Sequence, residues 1–175
     1  PPRLEERDSS VLQMADSLPS EMLAARPKIG LYLAWLLIYQ GHIERVIPLL
    51  EGLAQHLARA EADPALRWMQ KMVALVVAFL SRAHPLPDEQ VLDEIPASEP
   101  ILRDAAEVLY GMALGRRGEI DRAAEIAVRC LEREKTRRGS LSVSSLVPFL
   151  AVIYLTQGRL SAAASLCHDF LGSFK

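Results

Sequence analysis

The sequence predicts an all-α fold, an α-solenoid of about four helical hairpins wound into a right-handed superhelix. Two observations lead to this prediction. Alanine and leucine dominate a chain of 175 residues that is 50% hydrophobic and 6% aromatic, a composition that favours helices over strands. In addition, one pattern of small and large apolar residues recurs around three glycines, Gly41, Gly118 and Gly158.

The repeated pattern is typical of two antiparallel helices joined by a tight turn. The aligned positions are a small residue seven places before the glycine (Ala34, Gly111, Ala151), a large one four places before it (Leu37, Leu114, Tyr154) and an apolar one five places after it (Val46, Ala123, Ala163). Small side chains let two helices cross closely, and glycine ends a helix in the left-handed conformation without steric cost. A spacing of about forty residues is typical of tetratricopeptide-like or related solenoids.

The elements follow in order from helix start and stop signals. The predicted ranges are an N-terminal helical cap over 4–25 and hairpins over about 27–58, 64–94, 99–135 and 141–174. Pro27 and Pro64 stand where helices begin, because a first helical residue needs no N–H. Pro48 and Pro148 fall inside helices and predict a kink or a late start. The section from His84 to Pro100 contains four prolines, which make the second hairpin irregular.

The chain is expected to form one repeat domain over residues 1–175, and to be a segment of a larger protein. The net charge of −2 excludes a strong general attraction to nucleic acid or anionic membranes. The longest apolar run, residues 31–39, is too short to cross a bilayer. Two cysteines without metal-binding spacing fit a cytoplasmic protein.

One stretch resembles a known family. In LPSEMLAARPKIGLYLAWLLIYQG, Leu18, Pro19, Leu23, Arg26, Pro27, Ala34, Trp35 and Gly41 occupy the places of the entry motif in the tetratricopeptide-like sensor domain of MalT-like regulators. Later, Gln157, Gly158, Leu160 and Ala163 match that family's final hairpin. The chain departs from the pattern at Val46, where the family has alanine, and in the second hairpin.

The resemblance implies a non-catalytic sensor or effector-binding domain of a LuxR-type transcription activator. Its partners would be a small-molecule inducer or a regulatory protein, together with the other domains of the parent regulator. An ATPase module and a DNA-binding domain flank this region in the family. This chain has neither a GxxxxGK[ST] loop nor a recognition helix, so direct nucleic-acid contact is not expected. The alternative is a general tetratricopeptide scaffold without a transcriptional role.

Catalytic and metal-binding patterns are missing from the sequence, and no enzymatic activity or cofactor is expected. There is neither GxSxG nor HExxH, and the four histidines are far apart. Acidic residues are expected on exposed helix faces. Cys130 and Cys167 are expected to face inward as small apolar residues. Arg133, with Lys135, Arg137 and Arg138, is expected in a solvated basic loop.

A ligand groove is expected on the concave face, lined by the first helix of each hairpin. The candidate lining residues are Leu31, Trp35, Tyr39, Val108, Met112, Pro148 and Val152. Trp35 would offer the largest surface for stacking on a sugar or packing an apolar group.

The last helix supplies a second candidate surface. Its apolar residues Leu166, Phe170 and Phe174 are expected to contact a second copy, as in a homodimer, or a neighbouring domain.

Overall fold

The computed structural model describes residues 13, 17–19, 22–23, 26–59, 64–134 and 141–172. Every regular element among them is helical, which confirms the all-α prediction. The elements are α1 (Pro27–Tyr39), α2 (Ile43–Arg59), α3 (Pro64–Leu80), a 3₁₀ helix (Glu89–Leu92), α4 (Pro100–Arg116), α5 (Ile120–Glu134), α6 (Leu141–Thr156) and α7 (Leu160–Gly172). The predicted cap over residues 4–25 lies mostly outside the described residues.

Contacts divide the chain into two compact units, Pro1–Leu102 and Arg103–Lys175. In the first unit, α2 packs against α1 and α3, α1 also contacts α3, and the 3₁₀ helix contacts α3. In the second unit, α6 packs against α5 and α7. The solenoid arrangement and the single repeat domain over 1–175 stay predictions.

The three predicted turns share one backbone geometry. Gly41, Gly118 and Gly158 have φ angles of 85°, 88° and 72°. In the first turn, Gly41 N–H donates to the Ile38 carbonyl at 3.0 Å and His42 N–H donates to the Leu37 carbonyl at 2.8 Å. These two bonds satisfy the last carbonyls of α1, and both are repeated around Gly118 and Gly158. The left-handed glycines are therefore required at all three turns.

The residues of the repeated pattern lie where helices cross. Ala34, Val46 and Ala123 are fully buried. A Cβ atom placed on Gly111 would lie 3.4 Å from Ile126 Cγ2 of α5, and one on Gly115 would lie 3.2 Å from Phe149 Cε2 of α6. The small residues of α4 therefore allow α5 and α6 to pack closely against it.

Prolines begin helices as predicted, and those inside helices do not delay them. α1 and α3 begin at Pro27 and Pro64. α2 and α6 continue across Pro48 and Pro148 from starts several residues earlier, so the predicted late start is wrong. In the irregular hairpin, the short helix is a 3₁₀ turn, capped by Asp88, whose side chain accepts a hydrogen bond from Gln90 N–H at 2.9 Å.

The Gly118→Ala variant is expected to lose about 1–2 kcal/mol of stability, because an alanine at positive φ brings Cβ against its own carbonyl. No neighbouring atom within 4 Å meets the added Cβ, so the cost comes from the backbone alone. Urea unfolding measures it. The matched control is Gly52→Ala on α2, where space is also open and the variant should gain up to about 1 kcal/mol. Equal effects at the two glycines would contradict the turn assignment.

Candidate functional site

Three of the seven predicted groove residues are buried. Leu31, Trp35 and Val108 have exposed fractions of 2%, 5% and 1%, so they belong to the core and line no open surface. For Leu31 and Trp35 the physical reason is that α1 is apolar on nearly all sides and packs against both α2 and α3. The prediction that these three side chains line an open ligand groove is therefore wrong.

The other predicted groove residues reach solvent. Met112 is half-buried, and Tyr39, Pro148 and Val152 are exposed. The ring of Tyr39 lies beside that of Trp35, with centroids 6.5 Å apart. Since these residues come from both units, a continuous groove through them stays a prediction.

The predicted contact surface of the last helix is described only in part, and the contact itself stays a prediction. Leu166 and Phe170 are half-buried, and Phe174 lies outside the described residues. Cys130 is buried as expected, whereas Cys167 is exposed, so its predicted inward position is wrong. The periodicity located the apolar residues of α7 correctly but did not tell which of its sides faces the rest of the unit.

An open groove of about 600 Å³ lies in the second unit. Its lining residues are Asp121, Ala124, Glu125, Val128 and Arg129 of α5, Tyr154 of α6, and Gln157 and Arg159 of the following turn. The α5 residues recur at helical spacing along one side of that helix, and all of them except Ala124 are exposed. Acidic, basic, amide and aromatic groups therefore converge on one concave surface.

The end of the groove at the α6–α7 turn is organised by polar contacts. The Arg159 guanidinium lies over the Tyr154 ring, 4.3 Å from its centroid. Gln157 Nε2 donates to Asp121 Oδ1 at 2.9 Å, and Arg159 Nη1 donates to Gln157 Oε1 at 3.4 Å. A cation held over an aromatic face, next to a side-chain amide, suits a ligand that carries both hydrogen-bonding groups and a flat or apolar part.

A buried ionic cluster lies between α4 and α5 of the same unit. The Glu107 side chain is only 3% exposed. Its Oε1 accepts a hydrogen bond from Arg133 Nη1 at 2.9 Å, and its Oε2 accepts from Arg133 Nη2 and, at 2.9 Å, from the Cys130 thiol. Arg103 adds a contact of 3.6 Å between its Nε and Glu107 Oε1. The cluster joins the two helices of the central hairpin.

The cluster also fixes the charge states of its members. Burial alone would raise the pKa of Glu107, but hydrogen bonds from Arg133 and Cys130 outweigh it, and the pKa is lowered. Burial, together with the hydrogen bond to Glu107, raises the pKa of the Cys130 thiol far above its usual range. Since the thiolate is the reactive form, Cys130 is an inert structural thiol.

Sequence reasoning missed this cluster. Glu107 and Asp104 are buried, contrary to the expectation that acidic residues occupy exposed faces. Arg133 lies on α5 and not in a basic loop, while residues 135–138 of that loop lie outside the described residues. One signal was available, because Glu107 interrupts an otherwise apolar run from Ala105 to Leu109. A lone charge in such a run indicates a buried ion pair.

The first unit carries a smaller polar cluster. Glu99, just before α4, pairs with Lys28 Nζ and accepts a hydrogen bond from Tyr32 Oη at 3.3 Å, both on α1. Burial and the nearby Glu99 carboxylate raise the pKa of Tyr32. The cluster ties the segment before α4 to α1.

The described residues hold no group of three His, Cys, Asp or Glu side chains that could bind a metal, and none of their helices is long and apolar enough to span a membrane. No family model, curated protein or solved structure matches the chain.

Proposed function

We propose that the chain is the non-catalytic sensor or effector-binding domain of a MalT-like, LuxR-type transcriptional regulator that acts in the cytoplasm. The groove of the second unit is the binding surface, and the observation that carries the proposal is its convergent lining of Tyr154, Arg159, Gln157 and the polar side of α5. The resemblance of the entry motif and of the last hairpin to that family supports the regulatory role.

The groove can act on the rest of the unit because its walls belong to different helices. Asp121 lies at the start of α5, whereas Gln157 and Arg159 lie in the turn that joins α6 and α7. A ligand that displaces the bond between Gln157 and Asp121 changes how the α6–α7 turn is held against α5. Differential affinity for two such arrangements is what a sensor requires.

Both polar small molecules and peptides fit this lining, so a thermal-shift screen of sugars, small acids and peptides tests the proposal. A ligand at one hundred times its Kd stabilises the folded chain by about 2.7 kcal/mol, a rise in Tm of roughly 5–10 °C at this chain length. We expect one ligand class to give such a shift, and the Arg159→Gln variant to lose most of it.

The matched control is Arg122→Gln, which removes an exposed arginine of α5 that does not line the groove. Its ligand-induced shift should equal that of the natural chain. If no class raises the Tm, or if Arg159→Gln keeps the full shift, the groove is not the effector site. A response to peptides alone would instead favour a general scaffold role.

A further inference from the structure

The groove of the second unit holds charges of both signs that no described residue neutralises. Arg159 lies over Tyr154 and contacts the Gln157 amide, and no carboxylate in the described part of the chain pairs with it. The Glu125 side chain has neither a hydrogen bond nor an ion pair with a described residue. Asp121 accepts a hydrogen bond from Gln157 and has no cationic partner among the same residues. One cation and two anions therefore line one concave surface without a charged partner.

The two carboxylates are neighbours on one side of α5. Asp121 and Glu125 are four residues apart and both are exposed, a spacing that puts their Cβ atoms about 5–6 Å from each other. Two like charges at this spacing repel each other and destabilise a helix, and a cation bound between them removes that repulsion. The matching positions of the other two second helices carry no such pair, since they are Glu44 with Pro48 on α2 and Ser161 with Ser165 on α7.

The α6 wall of the groove departs from the repeat at its aromatic residue. Tyr154 lies four places before its turn glycine, where the other two hairpins have Leu37 and Leu114, which are 1% and 0% exposed. Tyr154 is only half-buried, and the Arg159 guanidinium lies 4.3 Å from its ring centroid. A position that packs the core in the other hairpins therefore supports a cation at the groove here.

We propose that the groove binds a small dipolar molecule of the amino-acid class, which carries an ammonium, a carboxylate and a large apolar side chain. The carboxylate binds the Arg159 guanidinium, and the ammonium binds between Asp121 and Glu125. This proposal rests on the proposed function, because it names the ligand class of the same groove. It goes further in requiring both charges on one molecule.

The apolar side chain of the ligand lies over Ala124 and Val128. Both residues line the groove on the same side of α5 as the two carboxylates, and Val128 is 37% exposed. The helix rises about 10 Å between Asp121 and Val128, which accommodates an ammonium group followed by a phenyl or isobutyl side chain. Because the groove is open and exposed ion pairs are weak, we expect a Kd of about 1 mM.

Binding of this kind competes with a contact that the chain already makes. An ammonium at Asp121 takes the carboxylate to which Gln157 Nε2 donates at 2.9 Å. Since Gln157 lies in the turn between α6 and α7, occupancy of the groove changes how that turn is held against α5.

NMR titration of the isotope-labelled chain tests the proposal and locates the site. Phenylalanine and leucine should shift the backbone amide signals of the groove-lining residues on α5 and in the α6–α7 turn. Phenethylamine lacks the carboxylate of phenylalanine, and hydrocinnamate lacks its ammonium. Each of these matched probes should bind about fivefold more weakly than phenylalanine, because each loses one ion pair.

Two variants separate the two charges. Glu125→Gln should weaken phenylalanine and phenethylamine about threefold and leave hydrocinnamate unchanged, because only the first two carry an ammonium. Arg159→Gln should weaken phenylalanine and hydrocinnamate and leave phenethylamine unchanged. Glu119→Gln and Arg122→Gln are the matched controls, since this pair lies outside the groove lining, and they should leave every Kd unchanged.

Three outcomes would overturn the proposal. Neither phenylalanine nor leucine shifts the groove amides, both singly charged probes bind as tightly as phenylalanine, or the shifted amides lie away from the groove. The proposed function is decided separately. It stands if another class of small molecule raises the Tm in a way that depends on Arg159, and it fails if no ligand does.

Discussion

Replacing Arg133 with methionine is expected to lower the free energy of unfolding by about 2–4 kcal/mol at neutral pH. Methionine keeps most of the apolar stem but removes both hydrogen bonds to Glu107. A carboxylate that is 3% exposed then keeps its desolvation cost with only the Cys130 thiol and the Arg103 contact to offset it. Because Arg133 is itself 34% exposed, the loss should stay below that of a fully buried pair.

The dependence of this loss on pH follows from the pKa of Glu107. In the natural chain the pKa lies below its unfolded value near 4.5, so the carboxylate adds stability above that pH, and this contribution disappears as the pH falls through the folded pKa. In Arg133→Met, burial still raises the pKa while the main opposing hydrogen bonds are gone. The difference between variant and natural chain should therefore be largest at neutral pH and shrink in acid, as Glu107 becomes protonated in the variant.

Urea unfolding at several pH values makes the measurement. The control Arg122→Met removes a surface pair with Glu119 and should cost no more than about 1 kcal/mol. Adding Glu107→Gln to Arg133→Met should recover part of the loss, since a neutral amide is cheaper to bury than an unpaired charge. A loss below about 1 kcal/mol, or one that does not vary with pH, would show that the ion pair does not stabilise the hairpin.

Gly30→Leu is expected to lower the free energy of unfolding by about 3 kcal/mol. A Cβ at position 30 would lie 2.7 Å from Leu53 Cδ2, and Leu53 is 1% exposed, so it has little room to move. A leucine at this crossing must therefore push α1 away from α2. The gain in helix propensity, up to about 1 kcal/mol, does not offset overpacking of this size.

Gly52 supplies the matched control, since it precedes Leu53 on α2 and has no atom within 4 Å of an added Cβ. Gly52→Leu should leave stability unchanged or raise it by up to about 1 kcal/mol. Combining Gly30→Leu with Leu53→Ala moves the volume from one helix to the other, and thermal unfolding should show partial recovery. If Gly30→Leu is as stable as the natural chain, the helices do not cross as closely as the structure places them.

The turns were predictable because their signals are local. Glycine at a left-handed position and proline at a first helical residue depend on the backbone of a few neighbours, and Gly41, Gly118, Gly158, Pro27 and Pro64 are all found in those roles. The crossing positions of three hairpins were predictable for a related reason, since one small-residue pattern recurs around Gly41, Gly118 and Gly158.

The surfaces were less predictable because they depend on which side of each helix the next helix covers. Trp35 and Cys167 both lie on strongly apolar helices, where periodicity does not single out one side, and the structure buries the first and exposes the second. Glu107 was missed because its partners Cys130 and Arg133 lie more than twenty residues away on another helix. The groove beside Tyr154 likewise joins positions that no local pattern relates.

The three turns have a consequence for how such a chain can diversify. Their hydrogen bonds use only backbone groups, so any residue that keeps its N–H, and therefore any residue but proline, can follow each glycine. The chain places a histidine, a glutamate and an arginine at these positions, His42, Glu119 and Arg159. An imidazole, a carboxylate and a guanidinium thus follow the same backbone turn, and Arg159 is the one of the three that borders the groove. Single substitutions at these three positions can therefore change the chemistry of the surface without removing the backbone hydrogen bonds that form the turns.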